Sequence, residues 1–188
     1  MWAPGRACSP AGSRPAARWR RRWSASTPPP GCSARFPPAW GPFDAILAKE
    51  AIHHVAAADR DRVLAGLAAR LTPGGRLLVV MLPTRVDYPL FDAARALFTA
   101  RQPDPEAIAA ALRVAGLPTT VNYRETELRI PRERYLAMMA GRYLSVLAAF
   151  DDAKLAAGVA EIAARHPEPD YVFADRFAFI RAVQPGGR

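Results

Sequence analysis

Apolar residues in this chain fall into four short runs, separated by stretches with a helical period. Runs at 43–48 and 76–82 ("RLLVVML") are almost entirely apolar and predict buried strands, the second of them covered on both faces. A run at 119–130 is more polar and predicts an antiparallel or edge strand. A final strand is predicted at 171–183, with four aromatic residues on one face: Tyr171, Phe173, Phe177 and Phe179.

The first two helices are predicted at positions set by local signals. Asp59 predicts the N-cap of a helix that runs through about Leu71 and is stopped by the "TPGG" turn at 72–75. A second helix is predicted over 88–100. Its apolar side carries Phe91, Ala94, Leu97 and Phe98.

Three further helices complete the pattern. Asp104 and Pro105 predict the start of a third helix, which Gly116 ends. Pro131 predicts the start of a longer fourth helix, and Asp151 predicts the cap of a fifth. The residues that the fourth helix is expected to bury are Leu136, Met139, Tyr143 and Leu147.

The order of these elements is strand, helix, strand, two helices, strand, two helices, strand. Strands that alternate with helices are typical of the α/β class and favour a doubly wound sheet. The last two strands are expected to form an antiparallel closing pair, interrupted by the two-helix insertion.

The charge of the chain is concentrated before residue 43. The formal net charge is +9, yet residues 1–42 hold seven arginines and no acidic residue, whereas residues 43–188 hold 19 basic and 17 acidic residues. The body is nearly neutral, which removes the argument from net charge for nucleic acid or a membrane. Both cysteines also lie before residue 43, where they predict neither a disulfide framework nor a metal site.

Residues 1–42 have no hydrophobic period, and their Pro, Arg, Ser and Ala content predicts a disordered segment. No apolar stretch follows the arginines, so the segment does not resemble a secretory signal, and its prolines argue against a transit peptide. Tryptophan interleaved with arginine can stack on bases as a nucleic-acid-binding arm. A high-GC gene translated in the wrong frame gives the same composition, and we favour this mistranslation as the interpretation.

The stretches "FDAILAKEAIHHV" at 43–55 and "LTPGGRLLVVMLP" at 71–83 resemble the second half of a class I S-adenosylmethionine-dependent methyltransferase, of the small-molecule branch called type 11 or 12. The resemblance covers about residues 41–184. It equates the first two predicted strands with the family's fourth and fifth, and the closing pair with its antiparallel sixth and seventh. It implies a partial Rossmann-like sheet, with an insertion like that of trans-aconitate-type methyltransferases, which helps to enclose the substrate.

Two cofactor-binding features of the resembled family are missing from this sequence. The family's first strand carries a D-x-G-x-G-x-G turn, and its second strand ends in an acidic residue that binds the ribose hydroxyls. The irregular segment 1–42 stands where three βα units of about 30 residues each are expected. We therefore expect the C-terminal part of a methyltransferase domain at 43–184, with impaired activity.

The resemblance places a cofactor contact at Ala48, Lys49 and Glu50, the end of the first predicted strand. Ligands of doubly wound sheets bind beyond the carboxyl ends of the strands, so His53 and His54 are candidates for the substrate pocket or for a general base. The alternative is one packed and one solvated histidine. A metal site is not expected, because adjacent histidines do not project to one point and the body has one other histidine and no cysteine.

Four more residues are substrate candidates. Arg85 and Tyr88 follow the second predicted strand and face the same crevice, and Arg142 and Tyr143 lie on the inserted helix that can cap a pocket. The alternative for each is a solvated or a core position. Methyl transfer from a sulfonium is a direct displacement, in which the enzyme mainly aligns donor and acceptor.

The resemblance thus implies a cytoplasmic methyltransferase with S-adenosylmethionine as its cofactor and a small-molecule substrate, and we expect no nucleic acid or membrane partner. Two alternatives stay open: a catalytically inactive remnant, and a binding module whose basic arm at 1–42 binds nucleic acid. No strand is predicted before 43–48. We therefore expect this apolar strand to form an exposed edge through which the chain self-associates.

Overall fold

The computed structural model describes residues 41–186, so the predicted disordered segment at 1–42 lies almost entirely outside the described residues. The described strands are β1 (Phe43–Lys49), β2 (Leu71–Met81), β3 (Thr119–Pro131) and β4 (Asp170–Val183). They form one mixed sheet in the order β1-β2-β4-β3. The predicted α/β class and the predicted order of strands and helices are confirmed.

The sheet has a parallel part and an antiparallel part. β1 and β2 are parallel neighbours, whereas β4 is antiparallel to both β2 and β3. β3 pairs with β4 over its whole length, but β2 pairs with β4 only as far as Met81, opposite Ala178. Residues 170–177 of β4 therefore extend, together with β3, beyond the end of β2. We call this extension the projecting arm.

Five helices connect the strands of the described part. They are α1 (Arg60–Ala68), α2 (Asp92–Arg101), α3 (Pro105–Val114), α4 (Arg132–Ala140) and α5 (Asp152–Arg165). The carboxylate of Asp104 accepts a hydrogen bond from the amide of Glu106, and that of Asp151 accepts one from the amide of Lys154. These two bonds confirm the predicted caps of α3 and α5, since each satisfies an amide that has no partner within its helix.

The structure differs from the prediction around α1. The helix ends at Ala68, and the "TPGG" residues lie inside β2, where the register against β1 shifts. Gly75 is required at this irregularity, because a Cβ there would lie 2.8 Å from the backbone oxygen of Thr72. Asp59 precedes α1 as predicted but makes no capping hydrogen bond, and its carboxylate instead pairs with Arg62.

The predicted α2 and α4 also differ from the observed helices at one end. α2 begins at Asp92 rather than at residue 88, because Phe91 has an extended backbone. α4 is shorter than predicted, because Arg142 adopts a left-handed backbone with φ of 55° and the chain turns away. Tyr143, predicted to be buried, is consequently 66% exposed.

Two apolar clusters stabilise the described part. α1 and α3 pack on one face of the sheet, where Leu64, Leu112 and Ile180 are fully buried. α2, α4 and α5 pack around the projecting arm and bury Tyr135 and Leu147. Helices thus cover the α1 side of the sheet and the arm, and a cavity lies where the parallel strands end beside the arm.

β1 is an edge strand within the described residues. β2 is its one neighbour there, and Leu47 of β1 has 65% of its surface exposed. The prediction of a strand at 43–48 is confirmed, but a strand with this exposure is not buried. The expectation that no strand precedes it concerns residues before 41, which lie outside the described range.

Candidate functional site

A cavity of about 630 Å³ opens at the carboxyl ends of β1 and β2. Lys49 and Glu50 line it from the end of β1, and Leu82 lines it from the end of β2. Helices α2 and α4 and the projecting arm contribute the aromatic rings of Phe98, Tyr135, Phe173 and Phe177. Doubly wound sheets bind ligands at this position, and pockets for small molecules have volumes of roughly 300–1,000 Å³.

Glu50 turns the chain into the cavity at the end of β1. Its backbone has a left-handed φ of 47°, a conformation that non-glycine residues adopt mainly where the surroundings hold them in it. Its Oε1 accepts a hydrogen bond of 3.0 Å from the amide of Leu82, which ties the ends of β1 and β2 together. Burial raises the pKa of Glu50, and the bond from Leu82 and the charge of Lys49 oppose that rise.

Tyr88 and Asp175 form a hydrogen-bonded pair in the wall of the cavity. The Tyr88 hydroxyl donates to Oδ1 of Asp175, which lies in the projecting arm. Burial raises the pKa of Tyr88 above its ordinary value, and the bond to Asp175 raises it further. The hydroxyl therefore stays protonated at neutral pH and holds its proton toward the carboxylate.

His53 and His54 occupy a 3₁₀ turn at Ile52–His54, directly after β1. Their ring centroids lie 4.0 Å apart, and Nε2 of His53 is 3.5 Å from Oγ of Ser145. Nδ1 of His53 is buried and has no hydrogen-bond partner among the described residues. Burial lowers the pKa of His53 to about 4, and the charges of His54 and Arg60 contribute. His53 is therefore neutral at neutral pH, and it is a weaker base than an ordinary histidine.

The structure brings six of the nine predicted site residues to the cavity wall. They are Lys49, Glu50, His53, His54, Tyr88 and Tyr143. Ala48 packs instead against the cluster on the α1 side, and Arg85 is exposed in the loop after β2. Arg142 donates to the backbone oxygen of Phe150 and pairs with Asp152, so its guanidinium stabilises the turn between α4 and α5.

Asp175 was missed by the sequence analysis, although it lines the cavity. It lies two residues from both Phe173 and Phe177 on the aromatic face of β4. A carboxylate on an apolar strand face needs a hydrogen-bonding partner or a function, because its burial without either is costly. That signal was present in "YVFADRF", but its partner Tyr88 is 87 positions away in the chain.

Two classes of site find no support in the described part of the chain. Residues 41–186 contain no group of three His, Cys, Asp or Glu side chains placed to hold a metal ion. No helix within this part is long and apolar enough to cross a membrane. The cavity with its polar groups is therefore the candidate functional site of the described part.

Comparisons with known proteins find likeness in fold only. No protein-family model matches the sequence, and no curated protein matches it. Similar solved structures include the cyclase SpnF (19% identity, TM-score 0.44, 78% of this chain) and the YcgJ protein of Bacillus subtilis (16%, 0.44, 78%). An O-methyltransferase family protein of Burkholderia thailandensis is also similar (14%, 0.41, 79%). This chain covers 51%, 65% and 32% of those three chains, respectively.

Proposed function

We propose that this chain carries the substrate side of a methyltransferase that uses S-adenosylmethionine to methylate a small molecule. The observation that supports this most is the position of the cavity. It lies at the carboxyl ends of the parallel strands β1 and β2, beside an antiparallel pair whose insertion lines it through α4 and the turn after it. The resemblance of 43–55 and 71–83 to the family implies this arrangement of fourth to seventh strands.

The polar lining of the cavity fits part of such a cofactor. Lys49 presents an ammonium group at the end of β1, where the carboxylate of the cofactor can bind, and the aromatic rings offer surfaces on which a purine can stack. Lys49 is the residue that would hold the cofactor. The cofactor, when bound, supplies a methyl group on a cationic sulfur.

The residues of the chain are suited to orient an acceptor and to exclude water. The cavity wall is largely apolar, which strengthens electrostatic interactions inside it. His53 lines the cavity and is neutral at neutral pH, so its ring can form a hydrogen bond with the group that is to be methylated. Its lowered pKa makes positioning a better role for His53 than strong general-base catalysis.

The proposal is tested by titrating the purified chain with S-adenosylhomocysteine and with S-adenosylmethionine in a calorimeter. We expect saturable binding of both, weakened several-fold by Lys49→Ala. Lys154→Ala is the matched control, because Lys154 is the one other lysine of the chain and lies on α5, away from the cavity. It should bind as the wild type does.

If neither compound saturates at millimolar concentration, the chain as written does not bind the cofactor, and the catalytically inactive remnant becomes the better description. If both bind but Lys49→Ala and Lys154→Ala behave alike, the cofactor lies elsewhere than at the end of β1.

A further inference from the structure

The charged groups of the cavity differ in how deeply they lie. The carboxylates of Glu50 and Asp175 are partly buried in its wall, and neither forms an ion pair with any residue in the described range 41–186. The two cations of the lining, Lys49 and Arg101, are exposed at its edge. The interior therefore carries negative charge that no ion pair neutralises, and Lys49 opposes it only from the exposed edge.

The inner polar atoms also lack donors. Tyr88 has one hydroxyl proton and gives it to Oδ1 of Asp175, so its oxygen can only accept from a ligand. Glu50 uses Oε1 for the amide of Leu82, and its Oε2 has no hydrogen bond from the described residues. The same holds for Oδ2 of Asp175. Three acceptor atoms therefore lie in this wall without a donor.

Aromatic rings stand beside these acceptors. The ring of Tyr88 packs edge-to-face on Phe173 with centroids 5.2 Å apart, and Tyr135 packs on Phe173 at 5.5 Å. Phe177 and Tyr143 add further rings to the lining. Aromatic faces carry negative electrostatic potential and attract cations, while they also bury apolar groups.

We propose that this cavity binds a protonated amine joined to an apolar body about the size of an aromatic ring. An ammonium group has only hydrogen-bond donors, and its positive charge supplies the ion-pair partner that Glu50 and Asp175 do not have. An alcohol can satisfy one acceptor but not the charge, and a carboxylate would add a third negative charge. The raised pKa of Glu50 agrees with this, because burial, with a smaller contribution from Asp175, outweighs the bond from Leu82 and the charge of Lys49.

The inference rests on the proposed function only in making this amine the methyl acceptor. An ammonium nitrogen has no lone pair, so it must first release one proton to water. The freed lone pair then forms the new N–C bond, while the C–S bond to the transferred methyl breaks and its electron pair stays on sulfur. Holding the ammonium between Glu50 and Asp175 places the nitrogen before that step but does not itself catalyse it.

The test measures binding without any cofactor, using three probes of similar shape: 2-phenylethylamine, 2-phenylethanol and 3-phenylpropanoate. Near neutral pH we expect the amine to bind at least about tenfold more tightly than the alcohol, as charge-assisted hydrogen bonds do. The carboxylate should bind most weakly. Ligand-observed NMR is suitable, because it detects the weak affinities of such small probes.

Two variants assign the preference to the proposed residues. Glu50→Gln keeps an oxygen for the amide of Leu82, and Asp175→Asn keeps an acceptor for Tyr88. Each should lower amine affinity about tenfold and leave alcohol affinity within about twofold. Glu133→Gln, on the exposed side of α4, is the control and should change neither. Melting curves establish that each variant is folded, and the two variants test the charge independently.

Three results overturn the inference: equal binding of amine and alcohol, tightest binding of the carboxylate, or no effect of either variant that folds. These results are separate from those for the proposed function. If S-adenosylhomocysteine binds but the amine shows no preference, the amine inference alone fails. If the amine is preferred but neither cofactor form binds, the methyltransferase proposal alone fails.

Discussion

The hydroxyl of Tyr88, in the loop after β2, donates a hydrogen bond to Oδ1 of Asp175 in the projecting arm. The pairing of β2 with β4 stops at Met81, so no backbone ladder joins the loop after β2 to the projecting arm. The bond between Tyr88 and Asp175 connects these two segments instead. The Tyr88 ring also packs edge-to-face on Phe173. One side chain thus fixes the arm against the loop and sets the shape of the cavity between them.

Tyr88→Phe removes this hydrogen bond and keeps the ring. We expect the free energy of unfolding to fall by about 1–2 kcal/mol, because a half-buried carboxylate loses its partner. Urea denaturation measures the change. Tyr123→Phe is the control, because its hydroxyl lies outside the cavity and its ring retains the contact with Arg176. Equal effects of the two variants would show that the bond to Asp175 does not stabilise the fold.

Gly158 permits the close approach of α5 and Phe91. A Cβ at position 158 would lie 2.5 Å from Cδ1 of the Phe91 ring. Gly158→Ala should therefore destabilise the protein by about 1–3 kcal/mol, although alanine favours helix more than glycine does. The double variant Gly158→Ala/Phe91→Leu should lower the free energy of unfolding by less than the sum of the two single changes. A stabilising Gly158→Ala would mean that the ring moves aside freely.

Much of the fold is predictable from the sequence because its signals are local. The caps of α3 and α5 depend on Asp104 and Asp151 and on amides two or three residues away. The helix ends near residues 72 and 142 were missed for another reason. The "TPGG" residues continue a strand beside β1, and Arg142, whose backbone is left-handed, bonds through its side chain to Phe150 and Asp152, eight and ten residues away.

The candidate site was predictable only in part, for a similar reason. Lys49, Glu50 and the two histidines follow a strand, and the carboxyl end of a parallel strand faces the ligand by topology alone. Asp175 enters the cavity through the register of β4 against β2 and β3, which no local pattern specifies. Ala48 does not line the cavity, because alternate residues of a strand face opposite sides and position 48 faces α1.

The low pKa of His53 predicts a specific loss of stability in acid. The unfolded chain binds a proton at this residue near pH 6.5, whereas the folded chain binds it only near pH 4. Between these values unfolding takes up a proton, so stability falls as the pH falls and is unaffected above the upper value. His53→Gln should reduce this acid-induced loss of stability by about 1 kcal/mol. The effect is this small because the ring is only half-buried and solvent screens its charge.

Melting temperatures measured from neutral pH down to about pH 4 test this slope. His166→Gln serves as the control, since it removes a histidine at the end of α5, away from the cavity. The wild type and His166→Gln should lose stability with the same slope, and His53→Gln with a shallower one. If His53→Gln follows the wild type, the ring is solvated in the folded protein and titrates normally.

The exposed edge of β1 leads to a prediction about association. Among the described residues β1 pairs with β2 alone, which leaves the other row of its backbone amides and carbonyls unpaired, and the apolar side chain of Leu47 is 65% exposed. Edges of this kind pair with a second copy unless charge opposes it. We expect the purified chain to associate reversibly, and Leu47→Lys to shift it toward monomer in sedimentation velocity.

Val114→Lys is the matched control, because Val114 is 90% exposed but lies on a helix, where no backbone edge is available. A chain that stays monomeric at high concentration, or that both lysines affect equally, would mean that β1 is not the contact.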